Sequence, residues 1–197
     1  MSDPRRLSAN IDPNTGRPST YAHDIKFEDN TVGHAQQLLS YKGVTVTRAS
    51  RGLDTKHATD LVRTWDNGSR VEHWGLRSRG GEYVHRYPFD LTLRSARDSG
   101  AKTELAKVLE GNCDGILYAF IDPKRPSQFC RWVKLWLPIF RLAARDCADW
   151  WHGCESKKRS NRDGTYFVPI DLRAIPSRYA RMVQGTSFGY WDGQVIS

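Results

Sequence analysis

The sequence predicts an α/β fold, with a mixed central sheet flanked by helices. Three observations carry this prediction. Two strand-like runs, about 58–65 and 69–79, meet at the turn "DNGS". A continuous apolar run, "GILYAFI", fills residues 115–121. Helix patterns stand before the first strand and ahead of the apolar run. At 197 residues the chain suits one domain, or one domain plus arms.

The elements follow in order. Residues 1–22 are rich in Pro, Ser, Asn and Arg and read as a flexible N-terminal arm. Residues 23–197 are expected to form a single α/β domain. "NTVGHAQQLLSYKG" is a helix with Asn30 or Thr31 as its cap, Leu38 and Leu39 on its apolar side and Gly43 as its stop. "VTVTRAS", residues 44–50, alternates as a strand does. Asn67-Gly68 accepts the positive φ angles of a tight hairpin. "SRGGEYVHRYP" is a glycine-containing loop with a short strand at Tyr83–Arg86, and "FDLTLRS" is a further strand.

"SGAKTELAKVLEG" is a helix started by Ser99 or Thr103 and ended by Gly111. The run 115–121 suits a strand buried on both faces. "QFCRWVKLWL" alternates, with Phe129, Arg131, Val133 and Leu135 on one face and Cys130, Trp132, Lys134 and Trp136 on the other. "IFRLAARDCADWW" reads as helix. "TYFVPIDL" is a late strand in which Pro169 marks an edge or a bulge.

A two-residue loop fixes the hairpin register. Arg63 then pairs with Glu72, Val62 with His73, Leu61 with Trp74 and Asp60 with Gly75. Leu61 and Trp74 share a face with a cross-strand Arg63–Glu72 ion pair, worth about 0.2–1 kcal/mol. Asp60 lies on the opposite face, near His73 and Arg77.

The formal charge is +8. Such a balance favours a polyanionic partner, most often nucleic acid. Arginines recur at 70, 77, 79, 86, 94 and 97, and "SKKRSNRDG" forms a basic loop. A nucleic-acid face would join Arg77, Arg79, Arg94 and Arg97 with Lys157, Lys158, Arg159 and Arg162. The bland alternative is a solvated face with ion pairs to Glu72, Glu82 and Asp98. Trp74, Tyr83, His85 and Tyr87 lie among these arginines, and such interleaving can stack on unpaired bases.

No run of about 18 apolar residues occurs, so no membrane span is expected. No signal-peptide core is present at the N-terminus, so a cytoplasmic location is expected. Four cysteines form no CxxC pair. "CADWWHGCE" gathers Cys147, His152 and Cys154, but a zinc site needs four ligands and zinc is not expected. Phosphate-loop, dinucleotide and HExxH motifs are missing.

The order helix, strand, hairpin with an acid on its first strand, helix, strand, over about residues 30–121, resembles the core of the PD-(D/E)XK, or restriction-endonuclease-like, nuclease superfamily. The segment "FDLTLRSARDSGAKTELAKVLEGNCDGILYAF" is similar to uncharacterised phage-encoded proteins placed near that fold. Residues 122–197 would then be a C-terminal extension. The resemblance implies an aspartate and a Glu-x-Lys on adjacent strands, holding Mg²⁺ or Mn²⁺ that activates water against a phosphodiester.

Asp60 matches the aspartate. Gly75-Leu76-Arg77 stands in the Glu-x-Lys slot, so the chain departs from the pattern at two of three positions. A bulge between Glu72 and Gly75 would bring Glu72 round. Otherwise the second carboxylate would come from Asp54, Asp90 or Glu104, with Arg77 and Arg79 on the phosphate. Lys102, Glu104 and Lys107 form either part of such a site or a surface ion-pair set. The "DTKHATD" stretch offers His57 as a base beside Asp54 and Asp60.

The expected function is nucleic-acid binding, DNA over RNA, with metal-dependent cleavage as its enzymatic form. The alternative is a catalytically inactive phage-type interaction protein that binds a host protein or nucleic acid. A protein-directed role would use an exposed apolar surface around Phe188, Tyr190 and Trp191.

Overall fold

The computed structural model describes residues 21–50, 59–97, 102–161 and 164–185, with the side chains of α1 from Asp29 onward and β4 through Ala96. Residues 1–20 of the proposed arm, Asp54, His57, Asp98, Ser99, Arg162, Phe188, Tyr190 and Trp191 lie outside the described residues, while Tyr21 and Ala22 of that arm are helical. The described residues form a mixed α/β structure with two sheets.

The six-stranded sheet has the order β1 (Val44–Arg48), β2 (Leu61–Trp65), β3 (Val71–Arg79), β5 (Gly115–Asp122), β6 (Arg125–Trp136), β9 (Val183–Gln184). All its neighbours run antiparallel except β3 and β5, which are parallel. A three-stranded antiparallel sheet has the order β4 (Asp90–Arg97), β8 (Thr165–Asp171), β7 (Arg159–Ser160). Among the described residues the α-helices are α1 (Tyr21–Leu39), α2 (Tyr83–Arg86), α3 (Glu104–Leu109), α4 (Leu137–Asp146) and α5 (Ala148–Glu155).

The hairpin has the expected register. Leu61 faces Trp74, Val62 faces His73 and Arg63 faces Glu72, with no bulge between Glu72 and the end of the pairing. Gly68 takes φ 65°, which the tight turn requires. β5 is buried along its whole length, because it has a strand on either side and packed layers on both faces. The two faces build two cores. Leu61, Trp74, Leu76, Leu117 and Ala119 pack with Ala35 and Leu39 of α1. Ile116, Tyr118, Phe120, Val133 and Leu135 pack with β4, β8 and helices α3 to α5.

Four expectations are corrected. The first helix starts at Tyr21, so Asn30 and Thr31 sit inside it rather than capping it. Tyr83–Arg86 is one helical turn, not a strand, closed by Tyr87 N–H donating to the Tyr83 carbonyl at 2.8 Å. β4 leaves the central sheet and pairs with β8. Its alternating pattern suits any half-buried sheet, and its partner is remote in sequence.

In β6 the register slips so that Phe120 faces Arg131 while Ile121 faces Phe129. The extra residue, Cys130, turns Phe129 over to the α1 core, away from the face of Val133 and Leu135. The helical stretch after β6 divides at Cys147 into α4 and α5, with Pro138 in the first turn of α4. Pro169 lies beyond the reach of the two-residue β7, so its missing N–H leaves no gap in a ladder.

The turned Phe129 binds α1 to the sheet. His34 Nδ1 accepts a hydrogen bond from Phe129 N–H at 2.8 Å, and the two rings stack with centroids 5.1 Å apart. Burial, with the Arg125 charge, holds the imidazole below its ordinary pKa of 6.5. A protonated Nδ1 cannot accept. This contact therefore contributes fully above about pH 6.5, the unfolded value, and fades as pH falls through the lower folded value. We expect His34→Ala to be less stable than the parent at pH 7.5. Denaturant midpoints should show the gap narrowing by pH 5; a gap that widens toward pH 5 contradicts this.

Candidate nucleic-acid interface

The Asp60 carboxylate is engaged by the fold. It sits just before β2, where Asp60 N–H donates to the Trp74 carbonyl at 2.9 Å. Its Oδ2 accepts a 2.6 Å hydrogen bond from Leu76 N–H. Asp114 does the same earlier on β3, accepting from His73 N–H at 2.8 Å. Both carboxylates thus satisfy β3 backbone donors, a charge-assisted use of their oxygens.

Beside them Cys113 Sγ lies 3.2 Å from the His73 carbonyl and 3.1 Å from that of Gly115. Burial pushes its thiol up to about 12, so it is no nucleophile at neutral pH.

The slot opposite Asp60 offers Gly75, with no ligand atom, and then Arg77. Arg77 Nη2 pairs with Glu104 Oε2 at 3.0 Å. That oxygen also accepts from Arg94 N–H at 3.2 Å. Glu104 thus ties α3 to β3 and β4. Lys107 follows on the same short helix, half-buried. Asp90 stands in the other sheet, opposite Asp171.

Among the described residues, no three of His, Cys, Asp and Glu gather as a metal-holding group. One candidate oxygen is already bonded to backbone, one slot is glycine, and Glu104 is neutralised by Arg77. Among the described residues these donors do not converge on one point as the carboxylate oxygens of a Mg²⁺ or Mn²⁺ centre do, and Asp54 lies outside those residues.

Glu72 is on the α1 face and cannot stand in for the missing ligand. It is 2% exposed, and its partner Arg63 is 5% exposed. Glu72 Oε2 accepts from Arg63 Nη1 at 2.8 Å and from Trp74 Nε1 at 3.0 Å. Arg70 Nη2 lies 2.6 Å from Oε1, off the hydrogen-bonding direction. The Arg63 guanidinium lies 5.2–5.3 Å from the ring centroids of Tyr41, Trp65 and Trp74, and 6.0 Å from that of Trp136. Trp74 reaches Trp136 because it lies across Gly115, where a Cβ would be 2.7 Å from the indole. Burial and the Arg63 charge hold nearby Lys134 below the ordinary lysine range.

The basic residues divide into groups. Arg77 belongs with Glu104, which Arg94 meets through its backbone N–H. Arg97 ends β4 opposite Thr165. Arg79 and Arg159 come together with a residue the sequence did not single out, Arg173. All three lie within electrostatic reach of Asp90. Burial and the Asp171 charge raise the Asp90 carboxyl, and the three arginines oppose that rise. Asp171 is held low, chiefly by its hydrogen bonds from Arg173 at 2.8 and 3.0 Å.

Lys157 and Lys158 are exposed on the turn leading into β7. Aromatic rings interleave with these cations. Arg79 lies over Tyr83 at 5.2 Å, Arg86 over Tyr87 at 5.2 Å, Arg173 over Phe89 at 4.7 Å and Lys158 over Tyr166 at 5.0 Å. Trp74, which the sequence offered as a stacking partner, is fully buried. The role of Arg173 was hidden because only the β4–β8 pairing carries it to Phe89 and Asp90.

No family model, no curated protein and no solved structure matches this chain. No described helix is long and apolar enough to cross a membrane.

Proposed function

We propose that this chain binds nucleic acid through the face made by the β3–β4 connection and the three-stranded sheet, without a cutting centre at the β2–β3 hairpin. One observation carries the reading. Arg79, Arg159 and Arg173 gather about Asp90, Arg173 and Lys157 about Asp171, and Arg79 and Arg173 carry this group to Tyr83 and Phe89, with Arg86 over Tyr87 on the same turn. Guanidinium forks suit phosphate oxygens, and the cations outnumber the acids.

The neighbours β1, β2, β3 and β5 of the larger sheet, with α1 before them and α2, β4 and α3 between β3 and β5, support the restriction-endonuclease-like resemblance. In this reading the nuclease-like frame serves binding, DNA over RNA, and Asp60 serves the frame.

A host-protein partner is the second reading. It is favoured by an open groove of about 680 Å³ lined by Leu109, Pro138, Arg141, Leu142, Arg145 and Trp151. Leu109 and Leu142 are 40% and 39% exposed there.

The test incubates labelled single- and double-stranded DNA and RNA with the protein, with Mg²⁺ or Mn²⁺ and with EDTA. Salt-dependent binding without cleavage is expected. Cleavage that disappears both in EDTA and in Asp60→Asn would establish a metal centre at the hairpin and overturn the binding-only reading. Absence of binding to all four substrates would favour the protein partner.

A further inference from the structure

We infer that the nucleic acid taken by this face is single-stranded, with unpaired bases stacking on Tyr83 and Tyr87. The inference rests on the nucleic-acid reading above and adds the form of the ligand.

The platform is the one-turn helix α2. Its position is fixed from below. Val84 packs against the larger core, and Val84 N–H donates to the Gly81 carbonyl at 3.1 Å. Gly81 lies against the end of β5, where a Cβ would come within 2.2 Å of the Ile121 carbonyl oxygen and 2.6 Å of Pro123. Only glycine permits that approach, so the turn is seated directly on the sheet.

From this seat the two tyrosines point outward. Tyr83 is 40% exposed and Tyr87 is half-buried. Their rings are nearly parallel, at 21°, with centroids 6.4 Å apart. Aromatic rings that reach the surface in one orientation are what a sequence-tolerant base platform needs. A duplex keeps its base faces stacked internally and offers only backbone and groove edges. The rings therefore have value for an unpaired strand and little for a double helix.

The arginines sharpen the argument. Arg79 and Arg86 each cover one tyrosine in the free protein. At an exposed site such a contact is weak. A base that takes the ring releases the guanidinium, which can turn to the phosphate on the same nucleotide. Each arginine thus exchanges a ring for a phosphate as the strand docks. Arg79, Arg159 and Arg173 extend the phosphate path toward the second sheet. Glu82, on the same turn, Asp90, at the start of β4, and Asp171, which pairs with Arg173, are acids beside it.

The experiment measures fluorescence anisotropy with a labelled oligothymidylate, a duplex and an abasic strand, all of about 20 nucleotides, enough to span such a platform. The proteins are the parent, Tyr83→Ala/Tyr87→Ala and Tyr83→Phe/Tyr87→Phe. Thermal unfolding confirms that each folds. The parent should bind the oligothymidylate at least about tenfold tighter than the duplex or the abasic strand, as expected for stacking on two rings. The alanine pair should lose that preference while keeping duplex binding, and the phenylalanine pair should keep it. An unchanged ratio of single-strand to duplex affinity in the alanine pair, or a parent that prefers duplex, overturns the inference and leaves nucleic-acid binding standing. A parent that binds none of the three probes overturns both.

Discussion

Replacing Glu72 with alanine should cost about 3–5 kcal/mol, the range for breaking a buried ion pair by removing one partner. Arg63 would be left with its charge inside a wall of Tyr41, Trp65, Trp74 and Trp136, and with no carboxylate. Trp74 Nε1 would lose its acceptor as well. For a protein of this size the melting temperature should fall by roughly 6–20 °C. Urea unfolding with an unchanged m-value gives the number directly. The double variant Arg63→Met/Glu72→Met should recover much of the loss, because an apolar pair leaves no charge behind. A cost below about 1 kcal/mol for Glu72→Ala would mean that water reaches Arg63 and that the cluster is a surface feature.

The triple substitution Lys157→Ala/Lys158→Ala/Arg159→Ala should weaken nucleic-acid binding without changing stability. All three side chains are exposed, so their removal opens no cavity. If each meets a phosphate, the slope of log affinity against log salt should become shallower by roughly 2–3, close to one unit per lost contact. Titrations across several salt concentrations measure this slope. Removal of Arg77 serves as the contrast. Its side chain pairs with Glu104, and its loss should act on stability as much as on binding. A triple variant that keeps the parental slope would place the phosphates elsewhere on the protein.

Much of the fold was legible in short segments. Asn67-Gly68 fixed every pair of the β2–β3 register, because a two-residue turn permits one alignment. The unbroken apolar run at 115–121 announced a strand enclosed on both faces. What escaped was set by contacts remote in sequence. The Arg63–Glu72 pairing was readable, but its burial was not, since Tyr41 and Trp136 come from other elements to cover it. Alternation in "FDLTLRS" specified a strand and not the sheet it joins. The bulge at Cys130 has no glycine or proline to mark it, and it reversed the side of Phe129.

The candidate site was legible in composition more than in place. Charge marks Arg79, Lys157 and Arg159, which stand within electrostatic reach of Asp90 or Asp171. Arg173 joins them with no basic neighbour in sequence to mark it. The motif marks Asp60, and one of its carboxylate oxygens accepts from the Leu76 N–H, a contact no motif announces.

The separate pairing of β4 with β8 bears on how the chain is made. Asp171 follows Arg97 by 74 positions. At about 5–20 residues per second, β4 waits roughly 4–15 s after leaving the ribosome before its partner exists. During that interval Leu91 and Leu93, both fully buried at the end, have no strand beside them. The six-stranded sheet can meanwhile assemble through β6. The three-stranded sheet closes late in synthesis, and the basic loop next to β7 takes its place only when β8 arrives. A ribosome stalled before Thr165 would therefore display a chain with its hairpin built and its basic face unassembled.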